Sequence, residues 1–170
     1  IGPPQHPNTL QAQFILAEML HDLERDGAAA EVLAAASETL EQLLQGGRQP
    51  NVGRNTTNNE ARRLFFLACH AAAENRPDEQ RQLLEKGLRE DPLEVDILIS
   101  LYRLSAHDAS LRARMQRAVR ETADLFRQRI QQEPEDESSY NQLAWLISNT
   151  EGDVQEALRC SRRSLEIRPN

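Results

Sequence analysis

Residues 140–170 read YNQLAWLISNTEGDVQEALRCSRRSLEIRPN. Tyr140, Leu143, Ala144 and Ile147 stand at i, i+3, i+4 and i+7, the spacing that lays one apolar stripe along a helix. A Gly-Asp pair, Gly152 and Asp153, then interrupts the pattern. A second helical run carries Ala157 and Leu165 and closes at Pro169. The stretch therefore reads as helix, tight turn, helix. The first-helix stripe recurs upstream as Leu64, Leu67, Ala68 and Ala71, and as Leu98, Leu101, Tyr102 and Ser105. Pro92, Pro134 and Pro169 each follow a large apolar residue, Leu88, Ile130 and Leu165, by four positions. Four positions before those lie Leu84, Phe126 and Ser161. Leu64 to Leu98 is a step of 34 residues, and Leu98 to Tyr140 one of 42. A period near 34 residues is that of a helix–turn–helix solenoid unit.

Composition agrees with helices throughout. Only 4% of the chain is aromatic, while Ala, Leu, Glu, Gln and Arg are abundant. Such side chains lose little freedom in a helix, and β-branched residues are too sparse for several strands. An all-α fold is expected. The net charge of −7 and pI near 5.2 lack the clustered positive charge that replaces counterions on phosphates, so no nucleic-acid partner is expected. No apolar run approaches the roughly 20 residues of a membrane helix, so no membrane partner is expected either. Cys69 and Cys160 lie far apart, with no disulfide framework or zinc spacing. A soluble chain with free thiols in a reducing, cytoplasmic compartment is the expectation. The start, IGPPQHPNTL, lacks the basic and apolar segments of a signal peptide and an initiating Met, which suggests a processed product or a piece of something longer.

Eight helices in four antiparallel pairs follow from the punctuation. Residues 1–8 are a loose, Pro-rich lead-in. Residues 9–45 form an atypical hairpin, its first helix carrying Leu16, Met19, Leu20 and Leu23 on one face, its break at Gly27, its second helix Leu33, Leu40 and Leu44. A polar loop spans 46–57. Thr57 to Glu60, TNNE, has the form of a capping box. Residues 58–92 make one repeat-like hairpin, with Pro77 in the first turn of its second helix. Residues 93–134 make a longer, divergent one, and residues 135–170 the last. Its end carries no polar cap, so the array either continues beyond Asn170 or pairs with another copy.

The last hairpin resembles a tetratricopeptide repeat. The matching residues are Tyr140, Leu143, Ala144, Gly152, Ala157, Leu165 and Pro169. Residues 61–92 match next best, through Leu64, Leu67, Ala68, Leu88 and Pro92. In the third pair Tyr102 and Arg129 stand where the family has small residues, so those helices are expected to pack wider. The resemblance implies a right-handed α-solenoid of four helical hairpins, with first helices on the concave side.

No local motif points to catalysis or a cofactor. Cys69 and His70 are neighbours, about 100° apart on a helix, and poorly placed to share one metal. A catalytic Cys-His pair would need a distant orienting partner. The acidic run Glu133, Glu135, Asp136, Glu137 sits at a helix start, where it suits the positive dipole end. Arg159, Arg162 and Arg163 read as a solvated face, Arg162 within reach of Glu166. Asn55 begins a glycosylation-type triplet, a pattern common by chance. No enzyme, cofactor or metal is therefore expected.

The resemblance implies a binding groove lined by first-helix residues beside the packing stripe: Arg62, Phe65, Cys69, Ile99, Arg103, Asn141, Trp145 and Asn149. Phe65 and Trp145 either line that groove or cover the neighbouring hairpin. The expected function is capture of a protein or peptide partner. The second reading is self-association, a homodimer through the C-terminal hairpin.

Overall fold

The computed structural model describes residues 7–45 and 59–169, and the side chains of residues 7–9, 43 and 44 fall outside that description. The lead-in up to His6, the loop at 46–57, Asn55 and the Thr57 end of the capping box lie outside the described residues, as does the side chain of Leu44. Among the described residues there are eight α-helices, a short 3₁₀ turn and no strand, so the fold is all-α. The chain divides into two compact units, Ile1–Pro92 and Leu93–Asn170.

The first unit holds α1 (Pro7–Asp22), α2 (Asp26–Gln45), α3 (Asn59–Ala73) and α4 (Pro77–Glu90). Each helix packs on the next. The α1–α2 and α3–α4 turns are built alike. Glu24 and Asn75 adopt left-handed φ values of 57° and 54°. Arg25 N–H donates to the Leu20 carbonyl and Glu24 N–H to that of His21. Arg76 and Asn75 repeat the pair onto Ala71 and Ala72. This is the Schellman arrangement, which satisfies carbonyls left over at a helix end.

That turn moves the predicted break. The chain turns at Leu23–Arg25, and Gly27 lies inside α2. Backbone hydrogen bonds impose the left-handed residue at Glu24, so no glycine is needed there. The structure also rotates α1 away from the face predicted from spacing. Leu10 and Ala17 are buried, while Leu16, Met19 and Leu23 are 47%, 56% and 67% exposed. Apolar residues surround α1 on nearly every side, so periodicity could not choose between faces. Packing chose the one that lets Leu10 meet Ala36, with Phe14 and Leu40 beside them.

The second unit holds α5 (Val95–Leu104), a 3₁₀ turn at Ser105–His107, α6 (Ala109–Gln132), α7 (Glu137–Asn149) and α8 (Val154–Ile167). α7 packs on α8, α6 and α5. Asp108, Asp136 and Asp153 cap α6, α7 and α8, each accepting a backbone N–H two or three residues on, a standard way to satisfy the orphan donors of a helix start. Asp136 belongs to the acidic run, and Glu135 beside it pairs with Arg163. At the α7–α8 turn Gly152 has φ 156°, and a Cβ there would stand 2.9 Å from the Cβ of Ile147.

The three stripes that recur from α3 onward face the interior. Leu64, Ala68 and Ala71 are buried on α3, Leu98, Leu101 and Tyr102 on α5 with Ser105 in the turn that follows, and Leu143, Ala144 and Ile147 on α7, while Leu67 and Tyr140 are half-buried. Tyr102, bulky where its counterparts Ala68 and Ala144 are small, carries Arg112 of α6 on its ring, guanidinium carbon 3.8 Å from the centroid. Arg112 donates to the Tyr102 hydroxyl at 2.6 Å and to its carbonyl at 3.2 Å. α5 packs less extensively on α6 than α3 on α4 or α7 on α8.

Candidate functional site

Within the second unit, α5 and α7 carry a hydrogen-bonded wall. Trp145, midway along α7, donates its indole N–H to Asp96 Oδ1 of α5 at 2.8 Å. One turn further along, Arg103 of α5 donates to Asn149 Oδ1 of α7 at 2.7 Å. Asn149 in turn donates to the Trp145 carbonyl at 2.9 Å. Three predicted residues, Arg103, Trp145 and Asn149, are thus brought together. Asp96 joins them without having been anticipated; its only sequence signal is its place in the first turn of α5. Ile99 is a correction: it is 3% exposed and part of the interior. α5, VDILISLYRL, is apolar around most of its circumference, so its one side open to solvent falls at Arg103.

Trp145 is tied to the wall by its nitrogen, yet its side chain stays 50% exposed. Its ring also borders a groove of about 310 Å³ between α7 and α8. α7 lines it with Asn141, Ala144, Trp145 and Ser148, and α8 with Val154, Ala157, Leu158 and Ser161. On α8, Val154, Leu158 and Leu165 are 68%, 43% and 50% exposed. Together with Ser161 they form one stripe at i, i+4, i+7 and i+11, a single helix face.

The repeat register gives that stripe its meaning. Val154, Leu158, Ser161 and Leu165 stand 35 residues after Val119, Ala123, Phe126 and Ile130 of α6. On α6 the first three are buried, at 1%, 3% and 4% exposure, where α6 also packs on α7. The same register position is therefore covered on α6 and open on α8.

Arg127 of α6 forks onto Glu156 of α8 at 2.8 and 2.7 Å. That bidentate pair holds the Glu156 carboxyl below its ordinary value of 4.5. Burial pushes the Cys160 thiol up, with a smaller push from Glu156. In the first unit Arg63 likewise lowers Glu60 through two hydrogen bonds, at 2.8 and 2.9 Å, with Lys86 adding a weaker charge.

The other three predicted groove residues lie in the first unit, on α3. Arg62 is engaged with Glu18 of α1 through a two-pronged pair at 2.8 and 2.7 Å. Its guanidinium sits 5.0 Å from the ring centroids of both Phe65 and Phe66. Phe65 is a second correction: it is 7% exposed. The His21 ring meets it edge-on at 5.5 Å and stacks on Phe66 at 4.8 Å. Burial of that apolar ring against two neighbours is worth more than its display.

Cys69, half-buried, lies elsewhere than on an open wall. Its sulfur and ligand atoms of His21 and Asp26 all lie within 4.8 Å of one another. His21 Nδ1 and Asp26 Oδ1 are 2.5 Å apart. Sequence reasoning missed this trio, because Cys69 is separated from the others by more than forty residues. His70, its neighbour on α3, instead faces the start of α2, its ring 3.7 Å from where a Cβ on Gly27 would be.

No helix of the described residues is long and apolar enough to cross a membrane. No protein-family model matches the chain, and no curated protein matches it significantly.

Proposed function

We propose that the chain is a tetratricopeptide-like helical repeat, a right-handed solenoid of hairpins, whose second unit captures an apolar segment of a protein partner. The observation that carries this reading is Trp145, held at its nitrogen by Asp96 and left half-exposed beside the α7–α8 groove. A large aromatic already fixed in orientation gives contact area at little entropic cost, and such residues dominate binding energy at interfaces. Polar groups of Asn141 and Ser148 flank it and suit the backbone of a bound segment. Phe65 and Ile99 play no part in recognition in this reading, since both are interior. No catalytic step is assigned.

Trp145→Ala tests it. The substitution removes a half-exposed ring and one hydrogen bond, so stability should fall by about 1 kcal/mol. Leu143→Ala, one helical step into the core, should cost about 2–5 kcal/mol. Partners recovered with the intact chain, identified by mass spectrometry, should be lost with Trp145→Ala while its melting curve stays near that of the parent. A collapse of the melting curve with Trp145→Ala would make Trp145 a packing residue and remove the reading.

A second reading is favoured by the open α8 stripe: a further helix, from another copy of this chain, covers Val154, Leu158 and Leu165.

A further inference from the structure

We infer that His21, Asp26 and Cys69 form a binding site for a divalent transition-metal ion of the zinc class, which clasps α1, α2 and α3 together. The site belongs to the first unit and does not depend on the role given to Trp145.

Three different elements supply the donors. His21 stands in the last turn of α1, Asp26 is the first residue of α2, and Cys69 lies in the second half of α3. The hydrogen-bonded turn at Leu23–Arg25 holds His21 and Asp26 in fixed relation. The close approach of Gly27 to His70 brings the start of α2 onto α3 beside Cys69. Stacking on Phe66 and the edge contact with Phe65 fix the plane of the imidazole. The ring nitrogen, carboxylate oxygen and thiol sulfur therefore converge without any exposed long side chain having to fold in.

The donor set selects the ion. A thiolate, an imidazole and a carboxylate form a mixed soft and borderline set that suits Zn²⁺, Co²⁺ or Cu²⁺ and suits Mg²⁺ or Ca²⁺ poorly. In a tetrahedral zinc site with bonds of about 2.0–2.3 Å, neighbouring donors stand roughly 3.3–3.6 Å apart. The trio lies within 4.8 Å, so small side-chain rotations suffice. On binding, the 2.5 Å contact between His21 and Asp26 would open as the ion enters between them. His21 and Asp26 side chains retain 29% and 12% exposure, which leaves a path for the ion and a fourth position for water. Three protein ligands and one exchangeable position is an open zinc geometry.

The test is titration of the whole chain with Co²⁺, read by its thiolate-to-cobalt charge-transfer absorption. One saturable band per chain is expected. Cys69→Ser should abolish it. Even partners one shell out are worth about 10–100-fold in affinity, so His21→Gln and Asp26→Asn should each weaken Co²⁺ binding by about that factor or more. Cys160→Ser should leave the band unchanged. As an independent readout, Zn²⁺ should slow alkylation of Cys69 and raise the melting temperature relative to chelator, with the protection lost in His21→Gln and the thermal shift lost in Cys69→Ser. Far-ultraviolet circular dichroism checks that each variant is folded. The inference is overturned by absence of a charge-transfer band in the parent, by a band that survives Cys69→Ser, or by one lost with Cys160→Ser. Alkylation of Cys69 that is fast at neutral pH and indifferent to Zn²⁺ would also overturn it, and would point to a thiol activated by the His21–Asp26 pair.

Discussion

Glu24 shows how one backbone angle organises the first unit. Its φ of 57° lies in the left-handed region, where a Cβ meets the chain and glycine does not. Two crossed backbone hydrogen bonds hold it there. Glu24→Gly relieves that strain and should stabilise the unit by about 0.5–1 kcal/mol, a gain readable as a higher urea midpoint with unchanged slope. Asn75 holds the same angle in the next turn, but asparagine tolerates it better, so Asn75→Gly should gain less. Equal or opposite shifts would mean that neither turn limits stability. At the same scale, Trp145 and Phe65 look alike in sequence, each an aromatic beside a packing stripe. Their fates differ because His21, Phe66 and Arg62 enclose one ring, while the other leans on a single carboxylate and faces an open groove.

Among the helices, α8 decides between the two functional readings. One face carries Ala157, Cys160 and Ser164 into the unit, and the other carries Val154, Leu158 and Leu165 outward. A buried face of small residues lets α8 approach α7 closely. An outward apolar face on an otherwise charged helix suits cover by another helix. If that cover is a second copy, sedimentation velocity will show a concentration-dependent shift to larger species. Leu158→Glu, which desolvates a charge at the contact, should abolish the shift while leaving the melting curve nearly unchanged. A strict monomer at high concentration assigns the face to a different partner. The contrast with α1 is instructive. Both helices present apolar residues outward, but on α8 the large ones, Val154, Leu158 and Leu165, fall on a single face. In α1 the apolar residues run all round, and the spacing of Leu16, Met19 and Leu23 pointed to a face the fold leaves exposed.

At the scale of the molecule, acid should loosen both units. Glu156 is held below its ordinary value by hydrogen bonds from Arg127, and Glu60 by those from Arg63. A carboxyl with a depressed folded-state pKa binds more protons unfolded than folded in the interval between the two values. Its contribution is present above the ordinary value near 4.5 and is lost as pH falls through the lower, folded one. Each pair is partly solvated, so about 0.2–1 kcal/mol is the appropriate scale. Glu156→Gln should therefore be less stable than the parent by about 1 kcal/mol or less at neutral pH. That gap should close in denaturant titrations carried down to about pH 3. A gap that persists unchanged into acid would show that Glu156 acts by packing.

Sequence by itself determined the all-α class, the succession of helices and breaks from Pro77 onward, and the three packing stripes. These are local matters: helical period, caps such as Asp136 and Asp153, and breakers such as Gly152 and Pro77 all act within a few residues of themselves. It also set Trp145 one residue off the stripe, and that residue is half-exposed. Only the tertiary structure decided which face of α1 is buried, that Phe65 and Ile99 belong to the interior, that Asp96 holds Trp145, and that His21 and Asp26 meet Cys69. Each of those depends on which helix comes to lie against which, and residues on different helices leave no shared period in the chain. Packing free energy settles them collectively, after local preferences have already made the helices.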